Sequence, residues 1–277
     1  MNCTRVRSGT HLLALVTAFV LPALASAQDV VMTSTPDKWQ FSILGYLWAP
    51  TIKGSLSFPI ANTGASFSLD PNDIFNNLNA AFMGSFGVQY NRWGFFSDVM
   101  YMDLGKSKTG QHDFTLPNQE PASLSAYVNL DMKAWIVTSA VQYRVVEQPD
   151  FIMSSFVGAR YLYLKPSLSW YFSHDLDNNP TVPRGGERSI SGDKVDAIIG
   201  FKGQWMFGEH HAWSIPVYAD VGGGGSKLTW QLAGGVAYRW EAWEFGALYR
   251  KINYHINSSG VTDLSIAGPM IGAVYRW

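Results

Sequence analysis

The fourteen residues Lys194-Val195-Asp196-Ala197-Ile198-Ile199-Gly200-Phe201-Lys202-Gly203-Gln204-Trp205-Met206-Phe207 decide how this chain folds. Their odd positions, Val195, Ala197, Ile199, Phe201, Gly203, Trp205 and Phe207, are all apolar or small. Every charge in the stretch sits on an even position: Lys194, Asp196 and Lys202. Side chains alternate faces along a β-strand, so one face asks for apolar surroundings and the other for water or polar partners. Two further segments keep the rhythm. Trp213, Ile215, Val217, Ala219 and Val221 oppose Ser214, Tyr218 and Asp220. Leu228, Trp230, Leu232, Val236, Tyr238 and Trp240 oppose Thr229, Gln231 and Arg239. Three consecutive dyad segments are strands.

Similar segments run near Trp39–Phe58, Asn79–Tyr90, Trp93–Lys106, Leu124–Arg144, Phe151–Ser173, Ala242–His255 and Thr262–Trp277. Several exceed the five or six residues usual in soluble sheets and reach the 9–11 that cross a bilayer. In lipid only closure satisfies every backbone group of a sheet, so length favours a barrel over a sandwich. The connections alternate as well. Asn91-Arg92, Val146–Asp150, Gly208–His211 and Glu241 are short, whereas Pro59–Leu78, Thr109–Ser123, His174–Gly186, Gly222–Ser226 and Asn257–Val261 are mostly longer and rich in Gly, Pro, Asn and Ser. Short periplasmic turns facing longer external loops are the pattern of outer-membrane barrels. The expected fold is all-β: a single up-and-down antiparallel transmembrane β-barrel of about ten strands, with eight or twelve as alternatives. The Thr51–Leu69 region has room for an extra hairpin.

Composition agrees. The 277 residues are 47% hydrophobic and only 15% charged, against about 25% charged in soluble domains. The extended apolar run, Leu12 to Ala25, falls short of a spanning helix. Preceded by Arg5 and Arg7 and followed by Ala25-Ser26-Ala27, it reads as a cleaved signal peptide over residues 1–27 rather than an anchor, leaving residues 28–277 as one barrel domain. The mature chain then holds 18 basic and 21 acidic groups and no cysteine, since Cys3 leaves with the signal. That excludes a disulfide framework and Cys-ligated metal sites, and nothing basic advertises a nucleic-acid partner.

Trp39, Tyr90, Trp93, Tyr143, Phe151, Phe207, Trp213, Trp240, Trp243, Tyr275 and Trp277 fall near the short turns or the chain ends, as an interfacial girdle requires. The final residues Gly272-Ala273-Val274-Tyr275-Arg276-Trp277 resemble the C-terminal signature of bacterial outer-membrane β-barrels. The stretches Gly45–Pro50, Asp73–Leu78 and Arg92–Val99 resemble a group of proteobacterial barrels of the small OmpA/OmpW-like class. This resemblance brings a fold without an activity. It implies residence in the outer membrane among lipid and lipopolysaccharide. It also implies that Gly272, Tyr275 and Trp277 act as the signal read by the barrel assembly machinery.

Parity nominates Asp98, Asp131, Lys133, Arg160, Lys194, Asp196, Lys202, Asp220, Arg239, Glu244, Arg250 and Arg276 as inward charges. Barrels near eight strands are just filled by side chains, whereas wide channels need about sixteen. The expectation is a lumen largely filled by paired charges, giving a structural or surface role or a narrow conduit for small solutes. The alternative is an outer-membrane hydrolase using His112, His174 or His255, but no G-x-S-x-G or HExxH motif supports it. No catalytic residue, metal site or cofactor is therefore assigned. Asp175–Asn179 imitates a calcium loop but has Pro180 and Gly186 where Gly and Glu are needed. Asp70 followed by Pro71 can start one short helix or an irregular loop.

Overall fold

The stretch Lys194–Phe207 lies within one strand of a closed sheet. The computed structural model describes residues 38–57, 64–112, 126–172, 185–189, 192–256 and 261–277; the expected signal peptide, the calcium-like stretch and His174 lie outside them. The strands are β1 Trp39–Trp48, β2 Thr51–Ser57, β3 Gly64–Leu69, β4 Leu78–Tyr90, β5 Trp93–His112, β6 Ala126–Glu147 and β7 Phe151–Phe172. They continue as β8 Gly185–Ser189, β9 Gly192–Phe207, β10 Trp213–Gly224, β11 Leu228–Trp240, β12 Trp243–His255 and β13 Val261–Arg276. β1, β4, β5, β6, β7, β9, β10, β11, β12 and β13 pair antiparallel in that order, and β13 returns to β1 to close a ten-strand barrel.

The other three strands extend the wall. β2 carries on the pairing with β13 after Ala49-Pro50 interrupts β1, β3 folds back on β2, and β8 adds to β7. The room for a hairpin in Thr51–Leu69 is used by β2 and β3. Between the pairs Gly45–Gly84 and Ile52–Leu69, one side of the wall holds residues 46–51 and the other holds 70–83. The surplus chain forms α1, Pro71–Asn76, so β1 and β4 part here into a wedge.

Local chemistry makes α1 a helix. Asp70 is extended at the N-cap, and Pro71 supplies a helical φ where no N–H is needed. The Asp70 N–H donates to the Asp73 carboxylate at 3.3 Å, and the Asn77 amide donates to the Asp73 carbonyl at 2.7 Å. Such a short helix is marginal alone. Packing holds it: Ile74 is buried in the barrel's apolar cluster while Phe75 stays exposed.

The short turns crowd one end of the barrel, its inner end. Asn91 and Glu241 take positive φ of 52° and 54° to reverse the chain there. The aromatic girdle forms at this end as cross-strand pairs, with ring centroids 4.8 Å apart for Trp39–Tyr90, 5.0 Å for Trp93–Tyr143 and 4.9 Å for Trp243–Tyr275. Above it the outward positions Ile43, Leu47, Val157, Ile199, Leu232 and Ile271 are exposed. An apolar belt of this extent suits acyl chains and not water. The fold is that of an integral membrane barrel.

Candidate functional site: the lumen

The lumen is built in layers, and the first is a charged latch at mid-height. Arg160 of β7 is fully buried. Its guanidinium pairs with Asp220 of β10 and donates to Thr138 of β6 at 3.2 Å, Thr229 of β11 at 3.2 Å and Gln231 of β11 at 3.2 Å. Gln231 also accepts from Arg250 of β12 at 3.1 Å. Arg250 in turn pairs with Asp98 of β5 at 2.9 Å and donates to the Tyr46 hydroxyl of β1 at 2.9 Å. Tyr46 donates to Asp98 at 3.1 Å. These bonds join strands from opposite walls, so they run across the barrel. Alternating signs make the span possible, because each buried charge meets a counter-charge and further hydrogen bonds.

Above the latch the lumen is apolar. Trp48, Ile52, Met100, Met102, Met132, Ile136, Leu162, Ile252, Leu264 and Ile266 form one buried cluster, joined by Leu69 and by Ile74 of α1. Trp48 stands over Arg250, 5.2 Å from ring centre to guanidinium carbon, and donates its indole N–H to the Gly268 carbonyl at 3.0 Å. This corrects the expectation of a lumen filled mainly by charge: the outer half is filled like a soluble core.

Below the latch is a cavity of 260 Å³, bordered by Asp98, Lys202, Arg250, Arg276, Phe96 and Ser42 among others. Phe96, Phe156 and Tyr218 build an aromatic wall, with Phe96–Phe156 and Phe156–Tyr218 centroids each 5.2 Å apart. Near the inner mouth Glu244 gathers Arg276 at 2.9 Å, Arg239 at 3.5 Å and the Gln204 amide at 3.1 Å. A shallow recess of 850 Å³ on the outer wall, over Leu47, Phe82 and Ile271, lies on the membrane-facing side.

Of the nominated charges, Asp98, Arg160, Asp220 and Arg250 meet in the latch, and Glu244 stands in the inner cluster. Asp196 is buried on the inward side and accepts the Ser226 backbone N–H at 2.6 Å. Lys202 reaches the cavity and lies 4.3 Å from the Phe96 ring centre. Lys194 is half-buried on the inward parity of β9.

Asp131 and Lys133 are corrections: they share the outward parity of β6 with Trp135, while Met132, Ala134 and Ile136 face inward. Charge marks the inner face only where the lumen is polar, and at this height the lumen is apolar. Lys133 instead pairs with Asp103 at 2.8 Å, beyond the outer aromatic pair Tyr101–Trp135. The hydrogen bond from Lys133 holds the Asp103 carboxyl below its ordinary range, and the same bond raises Lys133.

Sequence reasoning missed Tyr46, Gln231, Thr138 and Thr229 as latch members. Their inward parity was available, but neutral polar groups gave no charge to count. Gly272 sits on β13 opposite Tyr46 and Gly246. Tyr275 and Trp277 stack with centroids 5.7 Å apart, and Trp277 exchanges backbone hydrogen bonds with Phe41 at 2.9 and 3.1 Å.

No family model and no curated protein matches the chain. Solved structures do. The outer membrane protease OmpT of Escherichia coli aligns over 90% of this chain and 100% of its own, at 12% identity and a TM-score of 0.52. The translocator domain of the autotransporter NalP from Neisseria meningitidis covers 90% and 91%, at 13% identity and a TM-score of 0.41. Ail, the attachment invasion locus protein of Yersinia pestis, covers 87% and 100%, at 12% identity and a TM-score of 0.33. The likeness to OmpT is one of fold: the chain folds as bacterial outer-membrane barrels do.

Proposed function

We propose that the protein is a closed integral barrel of the bacterial outer membrane, serving as a structural or surface element and not as an open pore or an enzyme. The latch from Tyr46 through Asp98, Arg250, Gln231 and Arg160 to Asp220 carries this reading. A solute crossing the lumen would have to break buried charge pairs and then displace a packed apolar layer. Its surroundings would be outer-membrane lipid and lipopolysaccharide, reached after export and loss of residues 1–27. Solute efflux from liposomes tests the reading: the unmodified protein should leave a trapped small sugar inside, and rapid size-limited efflux would contradict it.

Assembly would depend on the C-terminal strand, with Gly272, Tyr275 and Trp277 read by the barrel assembly machinery. Trp277→Ala separates recognition from closure because it keeps both backbone hydrogen bonds to Phe41. The variant should reach the periplasm normally but accumulate several-fold less in the outer membrane. Unchanged outer-membrane levels would remove Trp277 from the signal.

A second reading rests on one observation. His255 of β12 pairs with Asp263 of β13 on the exposed outer rim, an arrangement that can orient an imidazole as a base. The alternative, a lipid- or peptide-hydrolysing barrel, would then act through His255. Loss of a measured hydrolysis in His255→Ala would favour it over the structural role.

A further inference from the structure

We propose that the cavity below the latch is a binding site for a small organic monocarboxylate that enters from the inner end of the barrel. Lys202 projects into the lumen with the Phe96 ring 4.3 Å away. The carboxylate on the cavity lining, Asp98, holds Arg250 and Tyr46, and the other inward carboxylates are engaged elsewhere: Asp220 holds Arg160, Asp196 takes the Ser226 N–H, and Glu244 holds Arg276 and Arg239. An ammonium removed from bulk water without a counter-charge is unfavourable, and a ring face compensates only in part. The cavity therefore supplies the cation of an ion pair whose anion the described residues do not provide.

Shape and lining define the anion. At 260 Å³ the space falls just under the roughly 300 Å³ at which drug-sized pockets begin, so a compact molecule fits. The lining combines the cations Lys202 and Arg276 and the polar Ser42 and Ser85 with the apolar Phe96 and Leu248, and its carboxylate, Asp98, is held by Arg250. A single negative charge on a small apolar body suits both kinds of lining. Lys202 is the lining cation that holds no carboxylate among the described residues, so one negative charge completes it, and a bare halide would leave the apolar lining uncovered.

Access is from the inner end. Arg276 borders the cavity, belongs to the mouth cluster, and keeps 38% of its side chain exposed. The latch and the apolar layer shut the opposite route. Bound ligand would return the way it came, so the site is a receptor pocket and not a step in a channel.

Sodium benzoate and its neutral isostere benzamide are suitable probes for the refolded full-length protein in detergent micelles. The readout is the temperature at which the heat-modifiable band shifts, since a ligand that binds only the folded state raises it saturably. Benzoate should raise this temperature in a saturable way and benzamide should not. Lys202→Arg should keep the response. Lys202→Met should lose it while still giving the folded, heat-modifiable band. Equal responses to the two probes, no response to benzoate, or a full response in Lys202→Met would each overturn the proposal, the first two being the result for a lysine that is merely hydrated. A leaky liposome assay would overturn the closed-lumen reading without touching this outcome, so the two failures are distinguishable.

Discussion

Arg160 concentrates the closure of the lumen in one side chain. It bonds to four residues on three strands and has no access to solvent. Removing one member of such a pair leaves its partner buried and uncompensated, at a cost of about 3–5 kcal/mol. Arg160→Ala and Asp220→Ala should each lower unfolding stability by an amount of that order in urea titrations followed in micelles. The double variant should lose far less than the sum, because the second change removes the stranded charge. Asp196 and Lys202 separate in the same way. Asp196→Ala strands a buried Ser226 N–H, whereas Lys202→Met removes a charge that has no carboxylate partner among the described residues. The urea midpoint should therefore fall clearly for Asp196→Ala and hardly move for Lys202→Met. Equal losses would show that Lys202 has a structural counter-ion. Charge parity was legible for both residues in the dyad pattern of Lys194–Phe207. Their different fates were not, because a partner on another strand has no fixed sequence distance.

At the scale of elements, the sequence disclosed strands better than it disclosed their interruptions. The dyad rhythm, the short turns and the Asp70-Pro71 start of α1 could all be read locally, since each depends on neighbouring residues. The wedge between β1 and β4 could not. It arises because β4 stays with β5 from Leu78 onward while β2 stays with β13, and strand pairing is a non-local choice. β8, which among the described residues pairs with the outer part of β7, depends on the same non-local choice. α1 fills the consequence of that choice by inserting Ile74 among Trp48, Ile52 and their neighbours. Ile74→Ala should cost about 2–5 kcal/mol, as buried aliphatic truncations do, and Phe75→Ala on the exposed side should be nearly neutral. If the two substitutions had equal effects in the same urea titration, α1 would be a surface decoration and the wedge would need another stopper.

On the scale of the whole molecule, the barrel drops the usual division between an apolar outside and a polar inside over half its height. Its outer half is apolar on both faces, toward acyl chains and toward the packed layer beneath α1. Its inner half is polar within. That is why Asp131 and Lys133 misled the parity reading: near the outer rim, charge belongs to the water beyond the membrane and not to the lumen. Ten strands, a latch and a packed layer make one account, in which the barrel spans the membrane without conducting. Single-channel recording in planar bilayers tests it most directly. The unmodified protein should insert without steady conductance steps, while Arg160→Ala combined with Arg250→Ala, if it still closes as a barrel, should add only small flickering events. Large, steady, ligand-independent conductance from the unmodified protein would contradict the closed lumen.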